Sequence, residues 1–187
     1  MASAIADKWN VIDRLLQNVR YRRAADLIPN GSIVLDFGCG DGGFLRYLSP
    51  RISQGIGIDP FATPVKGDSC SILRHSPGQD FPVASNSVDV VTALAVVEHL
   101  DEPSWFLKEA HRVLREDGRL IITTPSPCSK PLMEFLAFNL HVISEVDIRD
   151  HKTYYSSHAI HRLLDLYKAI SYRTFQLGLN QLIVANK

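Results

Sequence analysis

Between Ile33 and Phe44 the chain reads Ile-Val-Leu-Asp-Phe-Gly-Cys-Gly-Asp-Gly-Gly-Phe, and no other stretch limits the choice of fold as strongly. It opens with apolar and β-branched residues, the pattern of a buried strand. Glycines then occupy positions 38, 40, 42 and 43. Phe44-Leu45-Arg46-Tyr47-Leu48 resumes with apolar residues at helical spacing. Strand, glycine turn and helix form the opening of a nucleotide-binding βα unit, in which missing Cβ atoms let the backbone turn sharply and approach a ligand. Asp36 stands at the end of the strand and Asp41 where the helix begins. A helix N-terminus attracts anions, yet two carboxylates beside it oppose a pyrophosphate. At ~4 Å, two like charges cost about 4 kcal/mol at an effective dielectric of 20. The turn therefore suits a ligand that lacks phosphate and carries positive charge. A plain glycine turn with Asp41 as N-cap and a dinucleotide site on Gly38-x-Gly40-x-x-Gly43 remain the alternatives.

Several segments, taken together, carry a resemblance. Val34-Leu35-Asp36-Phe37-Gly38-Cys39-Gly40-Asp41-Gly42 resembles motif I of the class I S-adenosylmethionine-dependent methyltransferases. Gly55-Ile56-Gly57-Ile58-Asp59 resembles the family's second strand with its terminal acid. Asp80-Phe81-Pro82, Asn86 to Val91, Glu98-His99-Leu100 and Arg112 to Leu120 are similar to its later motifs, in the same order. The match runs from about residue 30 to 125. It implies an α/β fold: a doubly wound, seven-stranded, mostly parallel sheet with an antiparallel last strand. It also implies S-adenosyl-L-methionine as cofactor, whose ammonium and sulfonium suit the acidic turn. The cofactor-binding residues expected from it are Asp36, Gly38, Cys39, Gly40, Asp59, Pro60, Asp80, Phe81 and Leu94. Asp59, about 20 residues beyond the first glycine, is placed to accept both ribose hydroxyls; the alternative is a turn-forming Asp ahead of Pro60.

A chain of 187 residues is expected to form a single domain over residues 1–187 with a sizeable core. Lys+Arg 20 balance Asp+Glu 20, which argues against a general nucleic-acid footprint and favours a small-molecule acceptor. No apolar run reaches membrane-span length, and the N-terminus has no signal-peptide core. Cys39, Cys70 and Cys128 are odd in number and form no C-x-x-C pair. They read as reduced thiols of a cytoplasmic protein.

Residues 1–29 carry Ile5, Trp9, Ile12, Leu15, Leu16, Val19 and Leu27 at helical intervals. One long helix or two short ones are expected there, and the resemblance places them over the cofactor cleft. Arg20, Tyr21, Arg22 and Arg23 either reach the cofactor's carboxylate or an acidic substrate, or form a solvated face. Between strands 2 and 3 the chain departs from the family. Pro60, Pro64, Gly67, Pro77 and Gly78 leave little room for a crossover helix, so a shortened connection is expected, with a strand at Ser69 to Arg74. The acid that usually holds the adenine amino group is missing before Asp80, where Ser76-Pro77-Gly78-Gln79 stand. Backbone atoms, or Asp80 with Phe81, are the expected replacements, and Phe81 either stacks on adenine or joins the core. Ser87 to Leu94 reads as a central strand. A helix capped by Asp101 is expected to run to Asp117-Gly118, followed by a strand at Arg119 to Thr124. Leu132, Phe135, Leu136, Phe138 and Leu140 suggest a helix with a wide apolar face, suited to a substrate pocket or a homodimer contact. His141 to Ser156 reads as a loop, Ser157 to Tyr167 as a helix, and Ser171 to Phe175 with Gln181 to Val184 as an antiparallel hairpin.

Methyl transfer needs a nucleophile held in line with the donor, and a general base where the acceptor is a hydroxyl or protonated amine. The candidate catalytic residues are His99, Glu98 and His151. Glu98-His99 follow the fourth strand; local capping and packing is their alternative. His151 lies beside Asp150, Tyr154 and Tyr155, in a loop similar to one near the pocket mouth of related enzymes. A Glu-x-x-Glu-His metal site would need an acid at Ala95, and His158-x-x-His161 with Asp165 reads as a solvated helix face, so no metal is expected. Two other readings remain: a methyltransferase-like binding or regulatory protein without turnover, and an NAD-binding oxidoreductase.

Overall fold

In the computed structural model the described residues are 11–135 and 152–187. Their centre is a parallel stack of short apolar strands. β1 (Ile33–Phe37) pairs in parallel with β2 (Gln54–Asp59) on one side and with β5 (Val88–Leu94) on the other. β4 (Cys70–Arg74) extends the sheet beyond β2, and a two-residue β3 (Val65–Lys66) runs antiparallel along its edge. On the far side β6 (Leu114–Pro125) pairs in parallel with β5, β8 (Asn180–Asn186) is antiparallel to β6, and β7 (Lys168–Phe175) closes a hairpin with β8. The order is β3-β4-β2-β1-β5-β6-β8-β7, eight strands. The expected seven are all there; the eighth is β3, too short to leave a periodic signal. It occupies the stretch where prolines and Gly67 exclude a crossover helix, and no helix joins β2 to β4.

Two apolar layers cover the sheet. Because strand side chains alternate faces, Val34, Val90 and Ile121 pack on one side with Phe44, Leu45 and Leu48 of α2 (Gly43–Leu48) and Ala24 and Ala25 of α1 (Val11–Ala25). Leu35, Val91 and Ile122 pack on the other with Phe106, Leu107, Ala110 and Val113 of α3 (Pro103–Val113). Those four positions form one apolar stripe of an amphipathic helix, and Pro103 opens it where no backbone donor is needed. A short α4 (Lys130–Glu134) follows β6, and α5 (Ser157–Leu163) adds Ile160 to the second layer. Ser156 caps α5 through the Ala159 N–H at 3.2 Å.

Some expected boundaries move. α3 stops at Val113 rather than at Asp117-Gly118, because Leu114 turns extended and pairs with Val88. Residues 115–118 then bulge out, with Asp117 at φ 63°, before the ladder resumes at Arg119. Asp101 does not cap α3; Glu102 holds that position without a side-chain bond, and Asp101 pairs with Lys152 at 2.5 Å. Ile5, Trp9, Leu136, Phe138, Leu140, Asp150, His151 and most of the expected 141–156 loop lie outside the described residues.

Candidate functional site

All five parallel strands point their carboxyl ends to the same edge, where ligands of open α/β sheets bind. The glycine turn is built there. Gly38 and Cys39 both donate to the Ile58 carbonyl, at 2.8 and 3.3 Å, which bends β1 over the end of β2. Gly38 has φ +76°, and a Cβ on it would lie 2.4 Å from Val96. Gly40 has φ +54° but open space where a Cβ would stand. Its backbone is free for close approach by a ligand. Val96 reaches Gly38 because Ala95, just past β5, takes φ +58°, an uncommon conformation for alanine that redirects the chain.

Two carboxyl groups face this turn. Asp59 is fixed at both oxygens: Oδ2 accepts the Gly40 N–H at 3.1 Å and Oδ1 the Phe61 N–H at 2.7 Å. Each oxygen retains a lone pair for a further donor. Asp36 is fully enclosed, and Thr92 donates its hydroxyl to Oδ1 at 2.7 Å. The two residues are register partners on β1 and β5. Burial pushes the Asp36 carboxyl up to about 7; the Thr92 bond opposes this and the Asp59 charge adds to it.

Asp41 departs from its expected role. Its carboxylate pairs with Arg46 at 2.7 Å, and its other oxygen accepts the Gly43 N–H at 3.0 Å. It works as a turn residue just before the Gly42 N-cap, with its charge compensated in solvent. The repulsion of a phosphate therefore belongs to Asp36 and Asp59.

The remaining predicted residues fall into two groups. Pro60, half-buried, follows Asp59, and Leu94, half-buried, ends β5, both on the site's edge. Cys39 is buried, and a Cβ built at Gly57 would touch its Sγ at 2.7 Å. Its side chain packs against β2, and burial raises its thiol far above the ordinary range. Asp80 is exposed, and His75 Nε2 lies 2.9 Å from its carbonyl. The Phe81 ring takes the core alternative: 3% exposed, it packs with Phe37, Trp105 and Phe106. Glu109 accepts the Phe81 N–H at 2.7 Å, and Arg112 donates to the carbonyls of Phe81 and Val83, each at 3.2 Å. The Asp80-Phe81 loop is thus anchored from α3.

Residues from α1 reach the same edge. The Tyr21 ring packs on Phe44 at 5.0 Å. Its phenol is raised by burial first and by Asp36 and Asp41 next. Arg20 lies near enough to Glu98 to favour its charged form. Arg22 and Arg23 are exposed.

Glu98 and His99 sit on the 3-10 turn Val97–His99 beyond β5. His99 is half-buried. Glu98 is 1% exposed, and among the described residues neither of its oxygens makes a well-formed hydrogen bond. Burial holds its carboxyl above the usual range, countered by its own backbone, His99, Arg20 and the Thr124 hydroxyl. Its carbonyl accepts the N–H groups of Lys152 and Thr153, at 2.9 and 3.3 Å. Among the described residues no three His, Cys, Asp or Glu side chains gather as a metal site, and no helix is long and apolar enough to cross a membrane.

Sequence reasoning placed the stretch from Ala93 to Val97 beside the cofactor, which includes Val96, but missed Thr92 and Thr124. A hydroxyl in the otherwise apolar run of β5 was the available signal for Thr92; Thr124 depends on register.

Comparison with known proteins agrees with this geometry. A family model described as a methyltransferase domain matches residues 10–167. A protein of Mycolicibacterium smegmatis described as a probable S-adenosylmethionine-dependent methyltransferase is 32% identical over 112 residues, 58% of this chain. The chain spans only 43% of that protein's length. A S-adenosylmethionine-dependent methyltransferase from Archaeoglobus fulgidus superposes with TM-score 0.69 at 17% identity, over 93% of this chain and 94% of that one. A Haloferax volcanii methyltransferase solved in complex with the Trm112 activator gives TM-score 0.68 at 17% identity, over 91% and 88%. These two solved structures speak for the fold.

Proposed function

The chain belongs to the methyltransferase-domain family, and from that premise we propose that it binds S-adenosyl-L-methionine and transfers the methyl group to a small-molecule acceptor. The observation that carries the reading is the acid pair around the glycine turn. Asp59 is held by two backbone donors with lone pairs to spare for ribose hydroxyls. Asp36 offers a buried negative charge that a cationic ligand stabilises and a phosphate opposes. Gly40 leaves open the space a Cβ would fill. The residues present fit this cofactor.

When bound, S-adenosylmethionine supplies a methyl group activated by positive sulfur. The chain's own contribution is then positioning and proton handling. Asp59 and the Gly40 backbone hold the nucleoside end, with Pro60 and Leu94 beside it. The anchored Asp80-Phe81 loop presents backbone groups and the Asp80 carboxylate for the adenine edge, in place of the acid missing before it. Tyr21 and Arg20 close the cleft from α1. Glu98 and His99 stand where a proton leaving the acceptor can be taken up, and His151 is proposed as a second proton-handling residue. Zero net charge supports a small acceptor over nucleic acid.

The test has two parts. S-adenosylmethionine and S-adenosylhomocysteine are expected to raise the melting temperature while NAD does not; a hundredfold excess over Kd stabilises by about 2.7 kcal/mol. An acceptor screen read by S-adenosylhomocysteine release then tests turnover. A shift with NAD alone contradicts the cofactor, and tight cofactor binding with no release across the screen contradicts the activity.

A further inference from the structure

Buried polar atoms normally have partners, and each exception asks for an explanation. Among the described residues, Glu98 Oε1, Glu98 Oε2 and Thr124 Oγ1 are buried and make no hydrogen bond of good geometry. Glu98 and Thr124 meet at the carboxyl ends of β5 and β6, where the Thr124 hydroxyl lies within hydrogen-bonding range of the Glu98 carboxyl. What collects there is an excess of acceptor capacity: a carboxylate accepts only, and a hydroxyl accepts as well as donates.

An apolar pocket adjoins this cluster. Val97, Leu107, Ile122, Tyr155 and Ile160 line it, and Thr124 is its polar member. The free volume is about 20 Å³ in this conformation, room for a group about the size of one water or methyl. Thr124 and Tyr155 belong to both features: each lines the pocket, and each lies within electrostatic or hydrogen-bonding range of the Glu98 carboxyl.

We infer that this juxtaposition is the acceptor-recognition site, and that the acceptor is a small amphiphile with a hydrogen-bond-donating head at Glu98 and Thr124 and an apolar end in the adjoining pocket. This rests on the methyl-transfer reading and narrows its substrate class. A donor head gives the Glu98 oxygens a well-formed hydrogen bond beside the electrostatic support of His99, Arg20 and Thr124. An anionic head would meet the Glu98 carboxylate at close range and is disfavoured against a donor head. The occupant is thus an alcohol, phenol or amine rather than a carboxylic acid.

Three-carbon probes that differ only in the head test this: n-propanol, n-propylammonium and propionate, titrated by NMR into protein saturated with S-adenosylhomocysteine. Saturation is verified first, so failure of the cofactor reading is separated from failure of this one. Propanol and propylammonium are expected to bind at least tenfold more tightly than propionate. Glu98→Gln, whose amide can donate to an anion, is expected to shrink that preference by about tenfold. Thr124→Val is expected to weaken propanol several-fold and serves if Glu98→Gln fails to fold. Propionate binding as well as propanol in the wild type overturns the inference. So does an unchanged preference in either folded variant.

Discussion

The two halves of the cleft are built on opposite plans. On the β1–β2 side the acidic groups are supplied with protein partners: Asp59 with the Gly40 and Phe61 N–H groups, Asp36 with Thr92, Asp41 with Arg46. On the β5–β6 side Glu98 and Thr124 are buried and, among the described residues, make no hydrogen bond of good geometry. The first half is organised before a ligand arrives, so binding there costs little further ordering. In the proposal above, the second half keeps its hydrogen-bonding capacity for the acceptor. A site that binds one constant molecule can afford the first plan; a site that selects among acceptors gains specificity from the second, because polar groups left unmatched reject the wrong partner.

Substitutions sharpen or break this contrast. The largest effect is expected from Asp59→Ala, which removes the ribose acceptor and releases the Gly40 N–H together. Charge-assisted bonds contribute roughly 1.5–3 kcal/mol, so S-adenosylhomocysteine affinity should fall about 10- to 100-fold by calorimetry while the fold survives. Unchanged affinity would remove Asp59 from the site.

Asp36→Asn comes next, with roughly a tenfold loss of affinity and a second signature in pH. The Asp36 carboxyl titrates near 7 in the folded protein against an ordinary 3.8. A cationic ligand favours the carboxylate, so binding releases a proton and affinity rises with pH from about 6 to 8. Asn at 36 should flatten that slope. Stability moves the other way. The folded state holds this proton more tightly than the unfolded chain does. Its contribution is therefore fully present below the unfolded value of 3.8 and lost as pH rises through about 7. Ligand-free protein should melt lower at pH 8 than at pH 6, by less in Asp36→Asn.

Thr92→Val should cost about 1 kcal/mol of stability and move the pH midpoint of cofactor binding upward, because the bond that favours the carboxylate is gone. A midpoint that stays in place would show that Thr92 does not tune Asp36. The smallest effect is the most pointed for the contrast. Glu98→Gln removes a buried carboxyl whose burial outweighs the support of His99, Arg20 and Thr124, so the ligand-free melting temperature should stay level or rise by a few degrees. A clear fall would mean that Glu98 has structural work of its own and that the two halves are alike.

How far the sequence could be read follows the same division. The β1 turn was legible because its information is local: strand, glycines and helix are contiguous, and prolines after Asp59 announced the missing crossover helix. Asp41 was misread in role, since its charge is compensated by Arg46, a partner that spacing alone does not assign. The Phe81 ring went to the core because Phe37, Trp105 and Phe106, distant in sequence, converge on it. The end of α3 moved because Leu114 was claimed by β5, a tertiary contact stronger than the helical pattern that includes it. Glu98 was picked out by position, but its burial beside Arg20 and Thr124 depends on residues distant in sequence, and no motif records that.

The central claim is that the acids flanking the glycine turn select a cationic nucleoside ligand over a diphosphate-linked one. Calorimetry with S-adenosylmethionine and NAD, each at pH 6 and pH 8, tests it most directly. The account predicts binding of S-adenosylmethionine alone, tighter at pH 8 and with proton release. Binding of NAD without S-adenosylmethionine, or S-adenosylmethionine affinity that falls between pH 6 and 8, would contradict it.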